Sequence, residues 1–430
     1  MTRVCHPHPE PPDRANHLSP IEVDLLKTGL LPVDPDGPII AVERVPRAPF
    51  CYVVAGRVLV AAEQIIEAGK VLADATPVDV GGGFFAFDLP GTSTLALLRR
   101  LDDAGVAASA DHVLFSTKTK MHEGDDPEKA DEPSMHVGVS VRDGACARVA
   151  VIDTGLAQEA RRDPWFHDIT EADAELLRAP GHNEMGIGAG HGTFVTGVIR
   201  QVAWGCEVVV LRGLNVQGVA PESKVAAMIR AAITLDRKVH IINLSLGGYS
   251  VDNKPMPALA AAVGEAIDAG IVVVAAAGNQ RNVEAGGTDD GTQPMWPAAL
   301  ADVVAVAALV RSGDNEFALA PADQLAGYSN RFAGCDVAAP GFWRSVFVTG
   351  VENPLRETDG HPDRFDGAAQ ARGTSFACAA VTGAIARLMC EGDGCSAGDA
   401  FELLVKRPGN ITLSDATMPT PIMAVDVWGD

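Results

Sequence analysis

A small polar turn runs directly into an alanine-rich apolar segment at positions 373–384, GTSFACAAVTGA. This pattern predicts a tight turn followed by a buried helix, with Ser375 at the junction. A serine at that position lies beside backbone N–H groups that lack a partner within the helix, and beside the positive end of the helix dipole. Such a serine is either an ordinary helix cap or a nucleophile, and this segment alone does not distinguish the two.

Short continuous apolar runs recur upstream of this segment and are separated by helical patterns. The runs lie at 149–152, 207–211, 240–244, 271–275 and 303–306, and helical stretches lie at 224–235 and 258–269. Such runs are typical of strands in a parallel sheet that helices cover on both faces. The region 147–430 is therefore predicted to be an α/β domain with a parallel sheet flanked by helices.

Three further polar residues occur where active sites form in such folds. Asp153 follows the first apolar run, Asn279 follows the run at 271–275, and His191 opens an apolar helix at a glycine-flanked turn. Since the carboxyl ends of parallel strands lie at one edge of a sheet, we expect these side chains to meet near Ser375. There Ser375 would attack an acyl carbon and His191 would transfer its proton. Asp153 would orient the imidazole, and Asn279 would stabilise the oxyanion.

Five motifs in this order resemble the subtilisin family of serine proteases, and so does the chain order Asp, His, Ser. They are Val151-Ile152-Asp153-Thr154-Gly155, His191-Gly192-Thr193, Asn243-Leu244-Ser245-Leu246-Gly247-Gly248, Ala276-Ala277-Gly278-Asn279 and Gly373-Thr374-Ser375. The resemblance covers about residues 147 to 390. It implies a serine endopeptidase that cleaves through an acyl-enzyme, with Asp153, His191 and Ser375 as the triad. Asn279 would be the oxyanion donor.

The same resemblance implies that a polypeptide substrate binds as an extended strand. Its backbone would pair with Ser245, Leu246 and Gly247 on one side and with Gly218 and Val219 on the other. The pocket for the residue before the scissile bond would have that first segment and Ala276, Ala277 and Gly278 as walls. Trp296-Pro297 resembles a family turn in which a cis peptide bond is usual, so we expect one here. No calcium-ligand loop of the family is recognisable, so neither a metal nor a cofactor is expected.

Some positions depart from the family pattern without removing a catalytic group. Ala379 stands where a proline is usual, Phe194 where a histidine or similar residue is usual, and Arg372 where a small residue is usual. The stretch between Gly341 and Gly373 is also longer than typical. Because residues 351–366 are rich in charge, we expect a surface insertion near the site.

Residues 49–117 resemble, more weakly, the propeptide of the same family, a ferredoxin-like α/β domain that acts as folding chaperone and inhibitor. The pattern predicts strands at 50–54, 83–89 and 106–115 and helices at 60–73 and 92–104. Residues 111–117 resemble the tail that enters the active-site cleft, so self-cleavage is expected between about 117 and 122. A permanent accessory domain is the alternative. Residues 1–48 are predicted to be a poorly structured arm and 118–146 a charged linker.

Charge and composition exclude some classes of partner. The formal net charge of −22 repels phosphate backbones, so nucleic acid is not expected. No apolar run is long enough to span a bilayer and no signal peptide is visible, which favours a cytoplasmic protein without a membrane partner, although secretion by another route stays open. The eight cysteines lack metal-type spacing and are expected to be mostly buried free thiols. Cys390 and Cys395 are close enough to bridge a loop.

Two classes of function stay open at this point. One is a serine endopeptidase that processes a specific protein or peptide partner. The other is a catalytically silent interaction or scaffold protein built on a protease fold. Loss of a triad member would indicate the second, and none is lost.

Overall fold

The computed structural model describes residues 30–32, 39–46, 50–116, 127–130, 146–164, 166–178, 185–281, 290–310, 324–358, 361–392, 394–414 and 418–428. The expected cleavage region 117–122 lies outside the described residues. The described chain contains a small α/β unit and a larger one, which are joined by strand pairing.

The small unit is a sheet with helices on one face. Its elements are β1 (Leu30–Pro32), β2 (Ile39–Arg44), β3 (Tyr52–Ala61), α1 (Ile65–Val71), β4 (Val78–Gly81), β5 (Phe84–Asp88), α2 (Thr94–Asp103) and β6 (Ser109–Ser116). From β3 to β6 the chain follows a βαββαβ order, with the strands arranged β4-β5-β3-β6 as in a ferredoxin-like domain. Leu72, Leu97 and Leu101 pack with Phe87 to form its own core.

Local details of this unit differ from the sequence prediction. The helix expected from Val60 begins at Ile65, because β3 continues to Ala61 and pairs with β5 over that length. The strand β4 is too short to be marked by the sequence pattern. Residues 30–32 and 39–44 form two antiparallel strands, and the second of them pairs with β3. Part of the predicted arm therefore belongs to this sheet.

The larger unit contains the predicted parallel sheet. Its elements, preceded by β7 (Glu128–Lys129), are β8 (Arg148–Asp153), α3 (His191–Val202), β9 (Glu207–Arg212), β10 (Val219–Pro221), α4 (Glu222–Ile233), β11 (Ile241–Leu244), β12 (Leu246–Gly247), α5 (Pro257–Asp268), β13 (Val272–Ala276), β14 (Val303–Val310), β15 (Gln324–Leu325), β16 (Val337–Pro340), β17 (Phe342–Thr358), β18 (His361–Arg372), α6 (Thr374–Glu391), α7 (Ala397–Val405), β19 (Ile411–Leu413) and β20 (Ile422–Ala424). The strand order is β19-β20-β16-β14-β13-β11-β8-β9, and the neighbours in this order are parallel except for β19 and β20. The short strand β15 adds to β14 in antiparallel orientation.

Helices cover both faces of this sheet, as the continuous apolar strands predict. Successive side chains of a strand point to opposite faces. Val149 and Val151 therefore belong to the core with α3 and α6, while Ala150 and Ile152 belong to the core with α4 and α5. The helix α6 is buried from its first residue to Cys390, which holds its N-terminus firmly at the edge of the sheet.

The long stretch before α6 is a β-hairpin made of β17 and β18. Its base is not a surface insertion, since Phe347 and Phe365 are buried in the core beside α3. There the Ser345 hydroxyl donates a 2.9 Å hydrogen bond to the carbonyl oxygen of Phe194. Part of the predicted linker also has structure, because β7 pairs with β18 as a third strand.

The cysteines differ from the expectation in one pair. Cys146 and Cys390 form a disulfide that joins the start of the larger unit to the end of α6. Cys395, the partner that proximity in the sequence suggests for Cys390, is free and half-buried. The other described cysteines are buried free thiols, as expected: Cys51, Cys206, Cys335 and Cys378.

Candidate active site

The residues expected to carry the chemistry lie at the carboxyl edge of the parallel sheet. Asp153 is the last residue of β8, and Asn279 lies just beyond the end of β13. His191 is the first residue of α3 and Ser375 the second residue of α6. All of them are buried in this state of the chain.

His191 lies between the other two members of the expected triad. Its Nδ1 is 2.7 Å from Oδ1 of Asp153, and its Nε2 is 3.0 Å from Oγ of Ser375. In a neutral imidazole, Nδ1–H donates to the carboxylate and Nε2 accepts from the serine hydroxyl. This is the arrangement that a general base needs to take up the serine proton. The Ser375 hydroxyl also lies 3.2 Å from the carbonyl oxygen of Ser245.

Asn279 is anchored by the residue that precedes Ser375. Its side-chain oxygen accepts hydrogen bonds from the backbone N–H and the hydroxyl of Thr374. The amide nitrogen lies beside Gly373, where a Cβ would be 3.2 Å away from it. The amide of Asn279 is therefore adjacent to the turn that carries Ser375.

The residues that we expect to pair with a substrate backbone lie on both sides of β6, a strand of the small unit. β6 runs antiparallel between β10 and β12, with Phe115 opposite Val219 on one side and Gly247 on the other. The N–H of Ser116 donates to the carbonyl oxygen of Gly218 at 2.7 Å. Leu246 lies opposite Ser116. Gly218, Val219, Leu246 and Gly247 therefore all lie against β6. Ser245, which precedes Leu246, donates a hydrogen bond from its hydroxyl to the carbonyl oxygen of Ser375.

The two expected walls of the pocket before the scissile bond face each other across Met295. A Cβ on Gly247 would lie 2.5 Å from Cε of Met295, and a Cβ on Gly278 would lie 2.2 Å from its Sδ. Both preceding wall residues, Ala276 and Ala277, are buried. The bond between the next two residues, Trp296-Pro297, is cis, which confirms the prediction. Because Gly247 and Gly278 have no side chains, a slot remains between the two walls, and Met295 fills it. The sequence analysis does not single out Met295.

A second residue that sequence reasoning misses is the buried Glu175. Its carboxylate accepts hydrogen bonds from the hydroxyl of Thr154, the N–H of Gly190 and the hydroxyl of Thr193. These donors flank Asp153 and His191 in sequence. Nothing in the acidic stretch around Glu175 marks it, because its partners come together only through the tertiary fold.

Two departures from the family pattern make aromatic contacts. The ring of Phe194 on α3 lies 4.4 Å from the ring of Phe376, the residue after Ser375, measured between centroids. This contact joins the helices that carry His191 and Ser375. The guanidinium of Arg372 lies over the ring of Phe342 at the start of the hairpin, 5.5 Å from its centroid.

Two searches of the described residues give negative results. No group of three or more His, Cys, Asp or Glu side chains in them is arranged to hold a metal ion. No helix in the described part of the chain is long and apolar enough to cross a membrane.

A serine, a histidine and an aspartate in hydrogen-bonded sequence, with an amide beside the serine, define the class of serine hydrolases. Sequence comparison identifies the family within that class. The chain belongs to the subtilase family, whose profile matches residues 144–407. Subtilases are serine endopeptidases, and this chain has their α/β fold.

Several relatives are similar to about half of the chain. Thermitase from Thermoactinomyces vulgaris is 30% identical over 223 residues, which cover 50% of this chain and 70% of thermitase. Subtilisin Savinase from Lederbergia lenta is 30% identical over 207 residues, which cover 46% of this chain and 65% of that protein. The chain thus spans about two thirds of the length of these curated relatives.

A solved structure resembles the chain over most of its length. Fervidolysin from Fervidobacterium pennivorans, described as a keratinolytic enzyme related to subtilisin, superposes with a TM-score of 0.56 at 18% identity. The superposition covers 87% of this chain and 68% of fervidolysin. At this identity the likeness bears on the fold alone.

Proposed function

We propose that this chain is a serine endopeptidase in which Ser375 attacks the carbonyl carbon of a peptide bond and forms an acyl-enzyme. The observation that carries the proposal is the position of His191, whose ring nitrogens contact Asp153 at 2.7 Å and Ser375 at 3.0 Å. His191 takes the hydroxyl proton and returns it to the leaving amine, while Asp153 keeps the tautomer and stabilises the imidazolium. Water then releases the acyl group through the same base.

The oxyanion that forms during attack needs donors in place before the reaction. The Asn279 side-chain amide and the backbone N–H of Ser375 are proposed as those donors. The position of Ser375 in the first turn of α6 adds the positive end of a long helix dipole. The anchoring of Asn279 by Thr374 supports this assignment.

A fluorophosphonate probe distinguishes this function from the catalytically silent scaffold. The probe reacts with a serine only when a neighbouring base activates it. We expect labelling of the processed wild-type chain at Ser375 and none of Ser375→Ala. A folded wild-type chain whose Ser375 stays unlabelled, even after an added protease has removed the residues up to 116, would favour the scaffold.

We further propose that the small unit is an intramolecular inhibitor and chaperone. β6 occupies the strand position between β10 and β12 that an extended substrate would take. It ends at Ser116 opposite Leu246, one residue from Ser245, whose carbonyl oxygen lies beside the nucleophile. The bond that reaches Ser375 would therefore follow β6 closely, within the proposed window of 117 to 122.

N-terminal sequencing of purified, active protein tests this second part. We expect a new N-terminus after cleavage within 117–122 in the wild-type chain and none in Ser375→Ala. Full activity of a chain that retains residues 50–116 would instead indicate the permanent accessory domain.

The contacts of β6 also support a cleavage preference. Leu114 is fully buried in the cluster that contains Leu246 and Tyr249, so an apolar residue is favoured at that position. Ser116 is close to Gly218, where a Cβ would lie 2.4 Å from the Ser116 hydroxyl, so a small residue is favoured there. Because Met295 fills the slot between the pocket walls, a small residue is also favoured directly before the scissile bond.

These restrictions support processing of a specific protein or peptide partner rather than broad degradation. The cellular location stays a proposal as well. The Cys146–Cys390 disulfide favours an oxidising compartment over the cytoplasm that we expected. Incubation with a peptide library and readout by mass spectrometry tests the preference. A profile dominated by large residues before the cleaved bond would contradict it.

A further inference from the structure

We propose that Glu175 is a positioning residue, whose ionised carboxylate holds the loop of Asp153 and the helix of His191 in the relative position that the triad requires. The proposal rests on the proposed peptidase function and extends it to a residue outside the catalytic set. Glu175 is 6% exposed and acts only through neighbours of the triad.

The carboxylate joins two separate segments of the chain. Its Oε1 accepts from the hydroxyl of Thr154, which follows Asp153, and from the N–H of Gly190 at 2.8 Å, which precedes His191. Its Oε2 accepts from the hydroxyl of Thr193 at 2.6 Å. One side chain thus contacts both the turn after β8 and the first turn of α3.

The two threonines also bond to the opposite segment. The Thr154 hydroxyl accepts from the N–H of Gly192 at 2.9 Å, and the Thr193 hydroxyl accepts from the N–H of Ala157 at 2.9 Å. Each hydroxyl has a single hydrogen, and both hydrogens are donated to Glu175. The network therefore requires a group that accepts from three donors. A carboxylate does so, whereas an amide or a protonated acid brings a hydrogen where an acceptor is needed.

Close backbone packing makes the position of each segment depend on the others. A Cβ on Gly155 would lie 2.9 Å from the backbone nitrogen of Glu175, and a Cβ on Gly192 would lie 2.4 Å from the carbonyl oxygen of Gly155. The segments are therefore in direct contact without intervening side chains. We therefore expect a shift caused by the loss of the Glu175 bonds to displace Asp153 and His191.

The charge of Glu175 depends on pH. Burial, with a smaller contribution from the carboxylate of Asp153, raises the pKa of Glu175 to about 7, and the hydrogen bonds from its donors oppose this shift. The titratable group whose charge acts on it is Asp153 at the end of β8. Arg212, at the end of β9, reaches the carbonyl oxygen of Ala174 at 3.4 Å. The ionised carboxylate is thus present above about pH 7 and is lost below it.

The test compares Glu175→Gln with Glu159→Gln. Each variant is expressed as the full chain and assayed after it has processed itself. Glu159 is exposed on the loop that follows Asp153 and serves as the matched control. Above pH 8 we expect kcat of the Glu175 variant to fall about 10-fold to 100-fold, with KM within about twofold of wild type. The deficit should shrink towards pH 6, where the wild-type carboxyl is itself protonated. The control variant should match wild type throughout.

Several outcomes would overturn the proposal. A deficit that is the same at every pH would mean that the charge is irrelevant, and a raised KM with unchanged kcat would place the effect on substrate binding. If the glutamine variant fails to fold, Glu175→Asp is measured in the same way. This variant keeps a carboxylate with a shorter reach, so its kcat should be reduced. The lower pKa in its pH profile of kcat should also shift. A kcat profile equal to that of wild type would contradict the role. Labelling of wild-type Ser375 by the fluorophosphonate is measured alongside, so that failure of the peptidase function itself is detected separately.

Discussion

Thr374 donates two hydrogen bonds to the side-chain oxygen of Asn279, one from its backbone N–H and one from its hydroxyl, both at 3.0 Å. Because a backbone N–H can only donate, the atom that faces it must be the amide oxygen. The –NH2 group of Asn279 is therefore directed away from Thr374. Ser375 and Asn279, the proposed nucleophile and the proposed oxyanion donor, are therefore held by the same turn.

Replacing Asn279 by alanine should lower kcat by about 10² to 10³ with little change in KM, because the donor acts on charge that develops only in the transition state. Steady-state kinetics on a peptide substrate measure the effect. Thr374→Ser, which keeps both donors to the amide oxygen, should stay within a few-fold of wild type. An alanine variant with nearly full kcat would mean that Asn279 is not the donor.

The difference between Asn279 and Glu175 illustrates what the sequence can predict about this site. Asn279, like Asp153, His191 and Ser375, occurs in a short motif at a strand end or a helix start, where local pattern and position in the sheet indicate the same role. Glu175 lies in a segment without a motif. Its donors come from two other segments, so only the folded chain brings them to it.

The fold, like the site, was predictable where a local sequence pattern marks the element and not elsewhere. The parallel sheet was predictable because continuous apolar runs mark strands that are buried on both faces. The start of α1 was not, because the end of β3 is apolar at spacings that also suit a helix. The disulfide between Cys146 and Cys390 spans a sequence separation of 244, and cysteine spacing carries no information about partners so far apart.

Replacing Met295 by alanine should widen the slot between Gly247 and Gly278 and relax the requirement for a small residue before the scissile bond. The readout is the ratio of kcat/KM for a peptide with a large apolar residue at that position to kcat/KM for its alanine counterpart. We expect this ratio to rise about tenfold or more, since each methylene that a pocket accepts or excludes is worth about 10-fold or more. Met295→Leu, of similar volume, is the control and should leave the ratio near its wild-type value. A ratio that is equal in the alanine variant and wild type would show that Met295 does not limit the pocket.

Removing the disulfide by the double change Cys146→Ser and Cys390→Ser should lower the free energy of unfolding by about 2 to 5 kcal/mol. The bond joins the first described residue of the larger unit to the end of the helix that carries Ser375, and it closes a long loop in the unfolded chain. Denaturant unfolding measures the change. Cys395→Ser removes a thiol that forms no disulfide and should have little effect. Equal stability of the double variant and wild type would mean that the bond is not formed in solution.

The last prediction concerns the contact between β6 and the start of α4. Glu222 is fully buried there, and neither of its carboxylate oxygens has a hydrogen-bond partner among the described residues. The Nδ1 atom of His112 on β6 lies 3.7 Å from it, close enough for attraction but too far for a hydrogen bond. Next to it, Asp111 accepts hydrogen bonds from the N–H and hydroxyl of Ser223. Separation of the two units would expose these carboxyl groups to water.

Burial raises the pKa of Glu222 to about 7 from its ordinary value of 4.5, and burial also raises the pKa of Asp111. A carboxyl group whose pKa is raised on association binds its proton more tightly in the complex. The associated state is therefore favoured fully below about pH 4.5, and this contribution is lost as the pH rises through about 7.

In the self-cleaved chain, we expect the N-terminal fragment to be bound roughly 10-fold to 100-fold more weakly at pH 8 than at pH 5. Its retention in size-exclusion chromatography at a series of pH values measures this. Glu222→Gln should remove most of the pH dependence, while the exposed control Glu402→Gln should keep it. Retention that does not change with pH in the wild-type chain would exclude Glu222 as the group that controls release.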